Sequence, residues 1–221
     1  MKRVLVAISS LVAVCVVAAA LIFFVPVFKV QEIRVSGNVA TTPADIEQAS
    51  GIHKGSNLAR VDVAGAARQV ASLPWVQRAT VQRSWPSAVA VEVTERQAVA
   101  YAKRSDGPHL IDAEGKVFLV DNPPKGAVEI TGTGADDEEV MAGAAQIVDA
   151  LTKTLPPEQR GDLKGIEAKS KFEYTAKFGD GRTVYFGSAE SIHDKALAAR
   201  TALTRDGKEW NVSNPELVTS K

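Results

Sequence analysis

Apolar and polar positions follow three different rhythms along this chain, and each change of rhythm predicts a change of structure. From Val4 to Val25 there is no period at all. These 22 residues carry no charge and are broken only by Ser9, Ser10 and Cys15. As a helix rising about 1.5 Å per residue the run spans roughly 33 Å, close to the ~30 Å hydrocarbon core of a bilayer. Ala18-Ala19-Ala20 would suit cleavage of a signal peptide, but Leu21 to Val25 continue the apolar run where a mature chain turns polar. The expectation is a retained membrane span. Lys2 and Arg3 precede it, which places the short N-terminal tail in the cytoplasm and the chain after Val25 outside.

Beyond the run the rhythm alternates between two and between three and four residues. Phe28, Val30, Ile33 and Val35 form a broken alternation with an irregularity near Gln31-Glu32 and a turn at Gly37-Asn38, which predicts a strand. Thr42-Pro43-Ala44-Asp45 is a helix start: a capping side chain, a proline at the first helical position and an acid at the positive end of the dipole. A second helix opens at Asp62, with Val63, Ala66, Ala67, Val70 and Leu73 as its apolar stripe. Trp75 to Trp85 predicts a strand with Ala79, Val81 and Trp85 on one face and Arg83 as the exception, and Pro86 turns the chain. Val89, Val91 and Val93 then alternate with Ala90, Glu92 and Thr94, a half-buried strand. The order β-α-α-β-β predicts two helices on one face of a three-stranded sheet.

The remaining chain predicts a mixed sheet with flanking helices. Leu110 to Phe118 reads as two short strands about a tight turn, and Val128 to Ile130 as another strand. A helix is expected from Asp136 to Thr154, ended by Pro156-Pro157. Phe172, Tyr174, Ala176 and Phe178 alternate into a hairpin at Gly179-Asp180-Gly181. A last helix from about Ala189 carries Ile192, Ala196, Ala199 and Leu203, and Trp210 to Val218 supplies a final strand.

Composition narrows the chemistry. The formal net charge is +0, and outside the tail and span there are 24 basic and 26 acidic residues (26 − 2 and 26 − 0), so nothing points to nucleic acid. Cys15 is the only cysteine, which leaves the exported part without thiol chemistry or disulfides. His53, His109 and His193 lack ligand spacing. Gly132-Thr133-Gly134 stands between a strand and a helix as a dinucleotide loop does, but Asp136, Asp137, Glu138 and Glu139 would repel a pyrophosphate. No catalytic site, metal site or cofactor is expected.

Phe28 to Asn38, the pairs Pro74-Trp75 and Trp85-Pro86, the segment Val91-Glu92-Val93-Thr94-Glu95-Arg96-Gln97-Ala98-Val99-Ala100 and the later Ile111-Asp112-Ala113-Glu114-Gly115-Lys116-Val117-Phe118 stand in the order seen in a known family. The chain resembles the FtsQ/DivIB family of bitopic bacterial division proteins. It departs from the family at Ala98, where proline is usual, and in its very short N-terminal tail. The resemblance implies an α+β protein: residues 1–3 a cytoplasmic tail, 4–25 a transmembrane helix, 28–98 a POTRA-like domain and 99–221 an FtsQ-type β domain with a mixed sheet and flanking helices.

By the same resemblance the protein is a non-enzymatic scaffold of the divisome in the cell membrane. Its partners are FtsB-like and FtsL-like single-span proteins, other divisome components and the lipid bilayer through Val4 to Val25, with no nucleic acid. The implied partner site is the C-terminal strand region, here Trp210, Asn211, Val212, Ser213, Leu217 and Val218. Trp210 is either an interface anchor or a plug that packs the last helix onto the sheet. Glu95 and Arg96 end the strand leaving the first domain, where a salt bridge bracing the joint is expected ahead of a partner contact. The alternative class is a POTRA-bearing transport or chaperone component.

Overall fold

The structure, a computed structural model, describes residues 12–14, 28–132 and 137–220. The expected span Val4–Val25 lies outside the described residues except for 12–14, as does the expected helix start at Asp136. Among the described residues no helix is long and apolar enough to cross a membrane. The chain divides into two compact units, one ending at Arg96 and the other beginning at Gln97.

The first unit has the β-α-α-β-β order. Strand β1 (Glu32–Ser36) pairs in parallel with β3 (Ala88–Glu95), and β2 (Val76–Ser84) pairs antiparallel with β3, so the sheet order is β1-β3-β2. Helices α1 (Pro43–Ser50) and α2 (Val63–Val70) start as the sequence predicts. Thr42 Oγ1 accepts from Asp45 N–H, and Asp62 Oδ1 accepts from Gly65 N–H. The helices meet the sheet over Val30, Ile46, Leu58, Val70, Val76, Val89, Val91 and Val93, all buried. Each such side chain contributes about 1.5–3 kcal/mol of transfer free energy. The irregularity near Gln31-Glu32 has a cause: both N–H groups turn to one acceptor, Ser87 O, at 2.8 and 3.4 Å. Arg83 breaks the apolar pattern of β2 because its guanidinium donates to two backbone carbonyls, Leu58 O (2.9 Å) and Val61 O (2.6 Å), of the short 3₁₀ segment Leu58–Arg60 and its end. Gly37 ends β1 at φ +82°, with its α-hydrogen against Val93 O, where a side chain would collide.

In the second unit the described strands form one sheet in the order β12-β11-β10-β9-β8-β7-β4-β5-β6. These are β4 (Ala100–Arg104), β5 (Gly107–Ile111), β6 (Val117–Val120), β7 (Val128–Thr131), β8 (Leu163–Ser170), β9 (Glu173–Phe178), β10 (Thr183–Gly187), β11 (Glu209–Asn211) and β12 (Thr219–Ser220). Helices α3 (Glu138–Thr154) and α5 (Ile192–Ala202) belong to the same buried cluster as the inward residues of the strands. Asp137 caps α3, its Oδ1 accepting from the N–H groups of Glu139 and Val140.

Four features differ from the expected pattern. Strand β4 lies at the start of the expected β domain, where no strand is predicted. Strand β8 lacks clean alternation because its register against β9 shifts twice, between Leu163 and Gly165 and between Ala168 and Ser170. Pro157 does not break the chain but opens a short helix, α4 (Pro157–Asp162), as proline does at a first helical position. Phe172 precedes β9 and is 63% exposed, whereas Tyr174, Ala176 and Phe178 point inward as expected.

Candidate functional site

The C-terminal strands form one rim of the large sheet. Strand β11 joins β10 in parallel, with Thr183 opposite Glu209, Val184 opposite Trp210 and Tyr185 opposite Asn211. The ladder extends on both sides, through Thr183 N–H to Lys208 O and Val212 N–H to Tyr185 O. Strand β12 returns antiparallel with two pairs, Trp210–Ser220 and Asn211–Thr219. Among the described residues, no strand pairs with the other side of β12.

The six candidate residues separate into two sets. Trp210 (6% exposed) and Val212 (0%) lie in the core. The indole rests against Gly207, where a side-chain carbon would come within 2.7 Å of the ring, so only glycine permits this contact. Trp210 thus packs inside the second unit. Its indole N–H finds no acceptor among the described residues. Asn211, Ser213 and Leu217 are exposed and Val218 is partly buried.

The expected continuous strand from Trp210 to Val218 is corrected. The ladder to β10 ends with the Val212 N–H bond, and beyond it Asn211 Oδ1 takes Ser213 N–H (2.9 Å) and the Ser213 hydroxyl (2.7 Å). Asn214 Oδ1 takes Glu216 N–H, and Leu217 N–H donates to Asn214 O. Such side-chain bonds compete with a ladder and make a turn. The turn leaves Leu217 68% exposed beside the β11–β12 pair.

Lys195, on α5, was not singled out by its sequence. It is 4% exposed, and its Nζ donates to Phe186 O (3.0 Å), Ser188 O (2.9 Å) and Ser188 Oγ (3.5 Å), so it fixes the end of β10 next to the rim. Burial lowers its pKa from the ordinary lysine value, opposed by Glu190. No sequence period flags a lysine that caps the end of a strand.

Glu95 is not at the C-terminal rim. It takes Ala40 N–H (2.7 Å) on Oε2 and Thr41 N–H (2.8 Å) on Oε1, clasping the loop between β1 and α1. Burial pushes its carboxyl up, but these N–H groups together outweigh it and hold the pKa below the usual value. The contacts are made inside the first unit. Arg96 N–H donates to Trp75 O at 2.7 Å, the last backbone link before the boundary at Gln97.

This arrangement is that of a two-unit α+β chain, a small β-α-α-β-β unit followed by a mixed sheet with helices in its core. Residues 28–96 match the POTRA domain of FtsQ type, and residues 100–212 match the C-terminal part of the cell division proteins FtsQ/DivIB. Cell division protein FtsQ of Corynebacterium glutamicum is 39% identical over 219 residues, covering 99% of this chain and 98% of that protein. Its namesake in Mycobacteroides abscessus is 34% identical over 98% of this chain and 68% of its own length. The solved major extracytoplasmic domain of the trans isomer of the division protein divib from Geobacillus stearothermophilus aligns with 51% of this chain and 99% of its own, at 17% identity and a TM-score of 0.36. The chain belongs to the FtsQ/DivIB family of cell division proteins, and its role lies in the bacterial division machinery.

Proposed function

We propose that the chain is a non-enzymatic, single-span membrane scaffold that captures FtsB-like and FtsL-like division proteins by strand addition at its C-terminal rim. The observation that carries this is β12, a two-residue strand held by two pairs on one side and unpaired among the described residues on the other. Such an edge is a template for an extended partner segment, whose backbone bonds give affinity while side-chain contacts give specificity. Trp210 and Val212 root the rim in the core, and Leu217 offers an apolar contact beside it. The partner strand either extends the sheet beyond β12 or takes its place on β11. The Val4–Val25 run holds the chain in the cell membrane with its N-terminus in the cytoplasm and both units outside, so partners with their own spans meet it at a raised effective concentration.

Hydrogen exchange on the full chain in nanodiscs, with and without an FtsB-like segment, tests the site. Residues 209–219 gain protection if the reading is right, and no gain removes it. Depletion in the host separates the scaffold from a transport component: septation stops while secretion continues.

A further inference from the structure

The end of the first unit that follows the apolar run in sequence carries an aromatic pair and exposed lysines that the strand-addition site does not use. The Phe28 and Trp85 rings meet at 5.1 Å and 86°, edge to face. Phe28 is half-buried, but Trp85 remains 52% exposed. Three backbone segments converge here: Phe28 O accepts from Leu58 N–H, Val30 N–H donates to Ser56 O, and Gln31 N–H donates to Ser87 O. Across residues 28–31, 53–60 and 83–88 the charges are Lys29, Lys54, Arg60 and Arg83, all on exposed residues, with no Asp or Glu. The next carboxylates along the chain are Glu32, which pairs with Arg34 and also feels the charge of Lys54, and Asp62, which accepts from Gly65 N–H.

We propose that this end is a lipid-docking surface, with Trp85 seated in the headgroup layer of an anionic bilayer and the ammonium groups of Lys29 and Lys54 facing lipid phosphates. The proposal rests on the membrane anchoring read from Val4–Val25 and deepens it. Phe28 is the third residue after Val25, so it lies no farther than about 11 Å from the end of the apolar run. The headgroup layer is roughly 5–8 Å deep on each side. That reach lets the aromatic pair sit at the depth where tryptophan, with an apolar body and a polar N–H, is enriched. Basic residues within a Debye length of that surface are attracted to its anionic lipids. Two roots follow for the unit, one through the chain itself and one through Trp85, and together they restrict its tilt against the membrane.

The test is fluorescence quenching in phosphatidylglycerol-containing vesicles that hold the full chain. Lipids brominated near the headgroup end of the acyl chain quench the tryptophan emission, and Trp85→Phe removes most of that quenching. Lipids brominated near the chain middle quench less. Replacing Lys29 and Lys54 by Glu reduces the shallow quenching and leaves the near-ultraviolet circular dichroism unchanged. Flotation with the vesicles after an alkaline wash reports the anchor separately. If the chain floats but Trp85→Phe leaves the quenching unchanged, the docking surface is refuted and the anchor stands. If the chain does not float, both fail.

Discussion

Replacing Glu95 by Gln probes the clasp that ties the end of β3 to the loop before α1. In the native unit the carboxylate takes two short N–H bonds, at 2.7 and 2.8 Å. Hydrogen bonds to a charged group contribute about 1.5–3 kcal/mol each, and a neutral one about 0.5–1.5. A glutamine keeps one acceptor and turns an NH₂ toward the second N–H. The side chain is half-buried, so water softens the loss, and the expected destabilisation is about 2 kcal/mol. That equals a roughly 30-fold faster opening of the amides of residues 38–46 in hydrogen exchange. The pH dependence gives an independent check. The folded-state pKa of Glu95 lies below its ordinary 4.5, so the stabilisation is complete above the unfolded value and is lost as pH falls through the lowered one. The stability gap between native chain and variant is flat near neutrality and closes in acid. Equal exchange rates, or a gap that widens on acidification, would refute the clasp.

Other outcomes follow from the same geometry. Leu217→Asp leaves the unfolding transition within ~0.5 kcal/mol of the native chain but weakens capture of an FtsB-like segment in a pull-down, whereas Trp210→Ala costs about 3–5 kcal/mol because it empties a core site. A normal affinity for Leu217→Asp removes that residue from the interface. Gly37→Ala lowers stability by about 1–3 kcal/mol from its positive φ alone, before its contact with Val93 O is added, and an unchanged melting temperature contradicts the turn geometry. Burial first, then the carboxylates of Glu139 and Asp137, push the Tyr174 hydroxyl up to about 12. The unfolded chain ionises this group near 10, so stability falls as pH rises from about 10 to 12, and Tyr174→Phe abolishes that component of alkaline unfolding at a cost of about 1 kcal/mol for the bond to Val140 O.

The first unit was legible in the sequence because its signals are local and agree with one another. Thr42-Pro43 and Asp62 mark helix starts by their own chemistry, and Val89, Val91 and Val93 keep strict alternation on a strand with neighbours on both sides. The second unit was harder to read where pairing is irregular. Strand β8 bulges twice, so its buried Leu163, Ile166 and Ala168 do not fall on one parity. The rim was legible as a region but not residue by residue. Trp210 and Val212 follow strand alternation inward, but the turn at Asn211–Ser213 depends on side-chain acceptors, which no hydrophobic pattern records. Glu95 was noticed for its charge, while its partners, Ala40 and Thr41, are backbone amides more than fifty residues away.

The strand order has a mechanical consequence. If a partner pairs with β12 as proposed, its pull crosses the ladders of the sheet in the order β11, β10, β9, β8, β7 and β4 before it enters the link at Gln97. The ladders in this series are unequal: two pairs join β11 to β12 and two join β7 to β4, against six between β8 and β9. The outer short ladder gives way first, since both residues of β12 are exposed, while the inner one lies over the buried cluster that includes α3. If a partner pairs there as proposed, load would first peel the two-residue β12 from β11 while residues 212–218 keep it tethered, and the sheet behind it would stay whole.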